Sequence, residues 1–180
     1  MTILLFGVSN VGKSITGELL AKQLGYHYYD LDEEVKRRRK TTIETFVTTI
    51  TLEERDYIRG VIIGEIFDED PKNKVIAITP MTFYDNFEDY LEYPDVLAIE
   101  LRDTPDNIFN RLVFSDENDV LYFDDDYKNA HAKHYLDEIA EDLEWYGQCN
   151  KIVTNKFEMN GDLPEEVVSR LIAEYNLKKV

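Results

Sequence analysis

Short apolar runs alternate with amphipathic segments along most of this chain. This alternation is typical of βαβ units, in which helices cover the faces of a parallel sheet. The apolar runs predict strands at residues 2–6, 26–29, 74–79, 95–101 and 150–154. The amphipathic segments predict helices at residues 13–24, 32–39, 42–48, 52–67, 83–91, 105–114, 129–147 and 164–176. The expected fold class is α/β, a three-layer sandwich in which helices flank a five-stranded parallel sheet.

The first predicted strand is followed directly by the octapeptide Gly7-Val8-Ser9-Asn10-Val11-Gly12-Lys13-Ser14, which has the pattern G-x-x-x-x-G-K-S. In this phosphate-binding loop, the glycines let backbone N–H groups approach phosphate oxygens, and the following helix adds its positive end. Lys13 is expected to reach the β- and γ-phosphates, and the Ser14 hydroxyl to bind Mg²⁺. The alternative is a chance match in a helix-capping turn, but the strand before the loop and the amphipathic run after it favour a P-loop NTPase fold.

A second polar feature lies at the end of the second predicted strand, where Asp30 and Asp32 stand two residues apart. In an extended segment these side chains face the same side, at the carboxyl edge of the sheet, where ligands bind in open α/β folds. A carboxylate there can hold Mg²⁺-bound water, orient an attacking hydroxyl or accept its proton. The alternative is that either aspartate only caps the helix that follows.

Composition limits the classes of partner. The chain has 180 residues, which suits a single domain, and a net charge of −17, which argues against binding a nucleic-acid backbone.

The basic run at residues 36–40 is interpreted as the C-terminal end of a helix, where the helix dipole favours cations. No stretch approaches the roughly 18 apolar residues that a membrane span needs. The single cysteine, Cys149, favours a reduced, cytoplasmic setting.

One segment interrupts the alternation. Residues 115–127 are acidic at both ends and apolar in the centre. A loop of this length is usually functional or mobile, and in a phosphoryl-transfer enzyme it would be a lid that closes over nucleotide and excludes water.

Several segments together resemble shikimate kinase, a small member of the P-loop group of kinases that resemble nucleoside-monophosphate kinases. The similar segments are residues 7–14, 19–25, 29–35, 42–46, 75–78, 97–101, 106–112, 151–154 and 164–167. The resemblance implies one P-loop kinase-like domain over residues 1–180, with a substrate-binding helical segment at 31–67 and a lid at 115–127.

The resemblance also implies roles for individual residues. Lys13 and Asp30 are the expected catalytic residues, and Ser14 and Asp30 the expected Mg²⁺ ligands. Asp32 and Arg55 are expected to bind the hydroxyls and the carboxylate of the acceptor, and Arg111 to lie against adenine. The residues expected to bind ATP are Gly7, Asn10, Val11, Gly12, Lys13, Ser14, Ile15 and Arg111.

Three departures from the family pattern fall in the acceptor site and the lid. The family has a glycine triplet after the third strand, whereas this chain has Thr79-Pro80-Met81, in which proline lacks an N–H and methionine adds a side chain where a ligand should approach. The family lid carries arginine, whereas residues 115–127 contain no basic residue. A second arginine that contacts the substrate carboxylate in the family corresponds here to Asp142.

The expected function is an ATP- and Mg²⁺-dependent kinase that phosphorylates a hydroxyl of a small metabolite, shikimate or a related acceptor. The alternative is a nucleotide-binding protein with altered or lost transfer activity, which acts as a binding or regulatory module. A nucleotide or gluconate kinase is a third interpretation, with another acceptor at the same phosphate loop. The expected partners are ATP or ADP and the metabolite, with no nucleic acid or membrane, in a monomer or weak homodimer.

Overall fold

The computed structural model describes residues 1–70 and 72–180 and confirms the α/β fold class. The strands are β1 (Thr2–Phe6), β2 (His27–Asp30), β3 (Lys74–Ala77), β4 (Val96–Arg102), β5 (Phe114–Ser115), β6 (Leu121–Tyr122) and β7 (Asn155–Glu158). Five of them form a parallel sheet in the order β2-β3-β1-β4-β7, while β5 and β6 form a separate antiparallel hairpin. The order places β1 at the centre, so the loop that follows it lies between the two halves of the sheet.

Helices connect the strands and cover both faces. They are α1 (Lys13–Leu24), α2 (Leu31–Arg39), α3 (Ile43–Thr49), α4 (Leu52–Asp68), α5 (Pro105–Asn110), α6 (Asp125–Ala130), α7 (Ala132–Cys149) and α8 (Pro164–Glu174). Threonine side chains cap the N-termini of three of them, since Thr42, Thr51 and Thr104 accept hydrogen bonds from backbone N–H groups in the first turns of α3, α4 and α5. Among the residues described, no helix is long and apolar enough to cross a membrane.

The core has two parts because alternate residues of the central strands point to opposite faces. Ile3 and Leu5 of β1 belong to the cluster that includes residues of α1 and α8, whereas Leu4 and Phe6 belong to the cluster beneath α4. All five residues of β1 are buried. A fully buried strand positions the phosphate loop rigidly at its end.

Helix α2 ends in the basic run at residues 36–40, as the interpretation of that run predicted. Arg38 is its most highly connected member, since it pairs with Glu34 on its own helix at 2.9 Å. It also pairs with Glu65 of α4 at 2.8 Å and with Glu69, which follows α4, at 2.7 Å. These ion pairs join α2 to α4, the two long helices of the segment at residues 31–67.

Two predicted elements are wrong in type or position. The apolar run predicted as a strand at 150–154 begins as a 3₁₀ helix, Asn150–Ile152, and the last strand of the sheet follows it at Asn155–Glu158. This edge strand is mostly polar, so it gives little apolar signal. The helix predicted at 83–91 is a 3₁₀ helix at Glu88–Glu92, preceded by turns.

The predicted lid also needs correction. Residues 115–127 are not an irregular loop, because they contain most of the β5–β6 hairpin and the start of α6. The helix predicted at 105–114 ends at Asn110, and the helix predicted at 129–147 begins at Ala132 after α6 has ended. The name "lid" is kept below for residues 115–127.

Candidate active site

The phosphate loop leaves β1 with backbone geometry that only glycine adopts readily. Gly7 and Gly12 have φ angles of 138° and 113°. A Cβ atom on Gly7 would lie 2.6 Å from the carbonyl oxygen of Leu101 on the neighbouring strand. The loop can therefore form only with glycine at this position, and α1 begins directly after Gly12, at Lys13.

Lys13 is buried inside this loop. Its Nζ donates hydrogen bonds to the carbonyl oxygens of Gly7 at 2.8 Å and Val8 at 2.7 Å. Burial lowers the pKa of the Lys13 amine to about 8, while Asp32 and Asp30 oppose the shift. A desolvated ammonium whose partners are carbonyl oxygens of its own loop is well placed to accept a phosphate anion as an additional ligand.

Asp30 uses its two carboxylate oxygens differently. Oδ1 accepts hydrogen bonds from the backbone N–H groups of Asp32 at 3.0 Å and Glu33 at 3.4 Å, so Asp30 is the N-cap of α2. Oδ2 accepts hydrogen bonds from the Ser14 hydroxyl at 2.7 Å and the Tyr28 hydroxyl at 3.2 Å. The capping alternative is thus correct for one oxygen, while the other oxygen faces the phosphate loop.

A cavity of about 370 Å³ lies over the phosphate loop at the carboxyl edge of the sheet. Its walls come from four parts of the chain: the phosphate loop, the start of α2, the segment after β3 and the lid. The lining residues that bear on chemistry are Lys13, Ser14, Asp30, Asp32, Pro80 and Leu121. The structure therefore brings Lys13, Ser14, Asp30 and Asp32 together, as the sequence predicted.

Arg59 of α4 was missed by the sequence analysis. It is 4% exposed, its Nη2 lies 3.7 Å from Oδ1 of Asp32, and its guanidinium lies 5.4 Å from the centre of the Phe46 ring. Arg55 lies one turn earlier, and residues four apart share a helix face. That spacing is the signal that could have identified Arg59 from the predicted helix.

Asp32 and two arginines of α4 carry buried polar atoms that lack partners, and of these three residues only Asp32 lines the cavity. Within the described residues, four buried side-chain atoms make no hydrogen bond, and three of them are Oδ1 of Asp32, Nε of Arg55 and Nε of Arg59. Burial is the main cause that raises the pKa of Asp32, and Arg59 opposes it. Unpaired buried polar atoms are unfavourable, so this cluster has unused capacity to bind a polar ligand.

The expectation that the Met81 side chain stands where a ligand should approach is wrong. This side chain is fully buried in the core cluster beneath α4, so it does not obstruct the cavity. Thr79 and Pro80 line the cavity instead. Because proline has no N–H, this wall offers fewer backbone donors than a run of glycines would.

The lid lies against the start of α3, where the Asp119 carboxylate accepts a hydrogen bond from the Ile43 N–H at 2.8 Å. No basic side chain in residues 115–127 faces the cavity, since the segment contains none. Lys128 pairs with Asp125 at 3.1 Å and lies over the Phe109 ring, and Lys133 is exposed and pairs with Asp137 at 2.5 Å. Neither lysine lines the cavity.

Three further positions that the sequence singled out do not line the cavity. Arg111 donates a hydrogen bond to the carbonyl oxygen of Val11 at 3.3 Å and pairs with the buried Asp103 at 2.7 Å, so it adjoins the phosphate loop. Ile15, in the first turn of α1, is 60% exposed. Asp142 of α7 is half-buried, and burial together with Glu138 and Glu141 raises its pKa.

The sequence model of one family, described as shikimate kinase, matches residues 9–176. The chain belongs to the shikimate kinase family. Membership of this family supports an ATP-dependent phosphotransferase that acts on a small molecule. A search of curated proteins found no match.

Solved structures of shikimate kinases and of another kinase share the fold. Shikimate kinase from Bacteroides thetaiotaomicron is 22% identical, with a TM-score of 0.77 over 98% of this chain and 99% of that one. Shikimate kinase from Acinetobacter baumannii, solved in complex with shikimate, is 21% identical, with a TM-score of 0.71 over 98% and 95% of the two chains. A gluconokinase from Sinorhizobium meliloti is 16% identical, with a TM-score of 0.57 over 97% and 95%.

Proposed function

We propose that this chain is a kinase that transfers the γ-phosphoryl group of ATP to a hydroxyl of a small metabolite, shikimate or a related hydroxylated acid. The observation that carries the proposal is the single cavity lined by Lys13, Ser14, Asp30 and Asp32. The phosphate loop in this cavity suits the nucleotide, and Asp32, whose buried Oδ1 lacks a hydrogen-bond partner, suits a polar acceptor.

At the phosphate end, the loop from Gly7 to Ser14 would hold the β- and γ-phosphates. Lys13 would neutralise charge that develops on the transferred group, because its ammonium is already desolvated within the loop. Arg111 would contact the nucleotide beyond Val11. Catalysis of this kind depends on positioning and electrostatic stabilisation, with no covalent enzyme intermediate.

Magnesium fits the oxygen pair beside the loop. The Ser14 hydroxyl and Oδ2 of Asp30 are 2.7 Å apart, and hard oxygen ligands of this type suit Mg²⁺. Bound there with nucleotide, the ion would neutralise phosphate charge. The carboxylate of Asp30 would also orient the acceptor hydroxyl or accept its proton.

At the acceptor end, Asp32 and Arg55 would bind hydroxyl and carboxylate groups. Support comes from their unpaired buried atoms, Oδ1 and Nε. Within the residues described, Arg55 has no ion-pair partner, unlike Arg59, which already pairs with acidic side chains. A planar guanidinium without a carboxylate partner is suited to bind the carboxylate of an acceptor.

The test is ADP production from Mg·ATP with shikimate and a panel of other hydroxylated acids and sugars, against a control without acceptor. Turnover that depends on shikimate or another panel member supports the kinase, and the most active compound identifies the acceptor. Turnover that is equal with and without every acceptor would contradict it. Lys13→Ala is the matched negative control, because it should lose nucleotide binding while it leaves the acceptor end intact.

The second candidate is a nucleotide-binding protein with little transfer activity. Its support is the lid, which supplies no cation to the cavity. An arginine on a transferring phosphoryl group is worth about 10³–10⁵ in rate. Tight ADP binding with only a slow, acceptor-independent ATPase would favour this candidate.

A further inference from the structure

Asp56 is a buried carboxylate to which the proposed reaction assigns no role. It lies in the second turn of α4 and is 0% exposed. Oδ2 accepts hydrogen bonds from the backbone N–H groups of Thr82 at 2.8 Å and Phe83 at 3.1 Å, and Oδ1 accepts one from Nη1 of Arg59 at 3.2 Å. Both oxygens are therefore paired, as a buried charge requires.

These bonds join two walls of the acceptor end. Thr82 and Phe83 follow Pro80, which lines the cavity. On the other side, the Arg59 guanidinium that Asp56 holds reaches Asp32, whose Oδ1 lies 3.7 Å from Nη2. One carboxylate thus fixes both a backbone segment and a cationic side chain next to the residue expected to bind acceptor hydroxyls.

The segment after β3 needs such an anchor. Met81 fixes it to the core, and Pro80 provides no N–H. After Met81, the N–H groups of Thr82 and Phe83 both donate to Asp56, so they are not available to a ligand. The same carboxylate contacts the Arg59 guanidinium, so Asp56 determines where this cation lies relative to Asp32.

We propose that Asp56 is a positioning residue for the acceptor. It holds the Arg59 guanidinium beside Asp32 and fixes the Pro80 wall, so it acts on acceptor binding through Arg59 and leaves the nucleotide end unchanged. This inference rests on the proposed function, because it requires an acceptor in that part of the cavity.

The test compares Asp56→Asn, Arg59→Lys and the double variant, with the exposed Glu53→Gln on the same helix as control. Asp56→Asn should raise the acceptor KM about tenfold or more, because it removes the charged partner of a buried guanidinium, while the ATP KM stays within about twofold. The double variant should be no worse than the worse single variant, because both changes disturb one interaction.

Each failure has a distinct signature. A wild-type protein without acceptor-dependent turnover refutes the proposed function, and the inference falls with it. An active wild type whose Asp56→Asn variant keeps the acceptor KM, or raises the acceptor and ATP KM values equally, refutes only the role of Asp56. In a folded Asp56→Ala variant, which has no acceptor at this position, amide exchange at Thr82 and Phe83 should accelerate, and unchanged exchange there would contradict the contact itself. If Asp56→Asn does not fold, Asp56→Glu replaces it, with a smaller expected rise in acceptor KM.

Discussion

Asp30 caps α2 and has the chemical role that we propose for it, and the substitution Asp30→Asn separates the two. Oδ1 caps α2, and asparagine caps helices about as well as aspartate does, so the free energy of unfolding should change by less than about 1 kcal/mol. Oδ2, which accepts a hydrogen bond from Ser14 at 2.7 Å, is replaced by an amide NH2 group, which cannot accept a proton. Turnover should fall by about 10²–10⁴, the range for loss of a general base.

The assay for Asp30→Asn measures three quantities on the same preparation: thermal unfolding, ADP affinity and acceptor-dependent turnover. The ADP affinity of the variant should stay within about threefold of the wild-type value, a difference of less than 1 kcal/mol. Glu33→Gln is the control, because Glu33 lies in the first turn of α2 with its side chain 67% exposed. Asp30→Ala should lose about 1 kcal/mol of stability in addition, because the cap is lost. Wild-type turnover in Asp30→Asn would refute the chemical role and leave Asp30 as a cap only.

Three further changes test other parts of the account. Because burial lowers the pKa of Lys13 to about 8 and bound phosphate favours its charged form, ADP affinity measured by calorimetry should fall as pH rises above that value; a flat profile would contradict this. Arg38→Ala should lower the free energy of unfolding by about 1–2 kcal/mol, as measured by denaturant titration, and by clearly more than the exposed Arg37→Ala does; equal losses would remove the ion-pair argument. Leu121→Arg, which adds a cation to the lid wall of the cavity, should raise turnover about tenfold or more, whereas Leu121→Gln should not; no gain would show that the lid cation is not limiting.

The nucleotide end of the site was largely predictable. Its signals are local: an apolar run, a glycine pattern and Lys13 within a few residues, and the strand and helix around them form as expected. Asp30 and Asp32 both line the cavity as predicted, but the reason given for Asp32 was wrong. β2 ends at Asp30, and Asp32 lies in the first turn of α2 and not in an extended segment.

The acceptor end was not predictable to the same degree, because long-range packing determines it. The sequence could not show that Met81 turns into the core, which depends on a cluster assembled from α2, α3 and α4. Nor could it show that Asp56 pairs with the N–H groups of Thr82 and Phe83, which are separated from it by 26 and 27 positions. The last strand, β7, lies later in the sequence than predicted for a related reason. It forms because it pairs with β4, although its own apolar pattern is weak.

The central claim is that phosphate moves from ATP to an acceptor hydroxyl in the cavity above Lys13. The most direct measurement is ³¹P NMR of the protein with Mg·ATP and the acceptor panel, beside the Lys13→Ala variant. The account predicts a new phosphomonoester resonance that needs the acceptor and is absent with Lys13→Ala. Only ADP and inorganic phosphate, formed at the same rate with and without every acceptor, would contradict it.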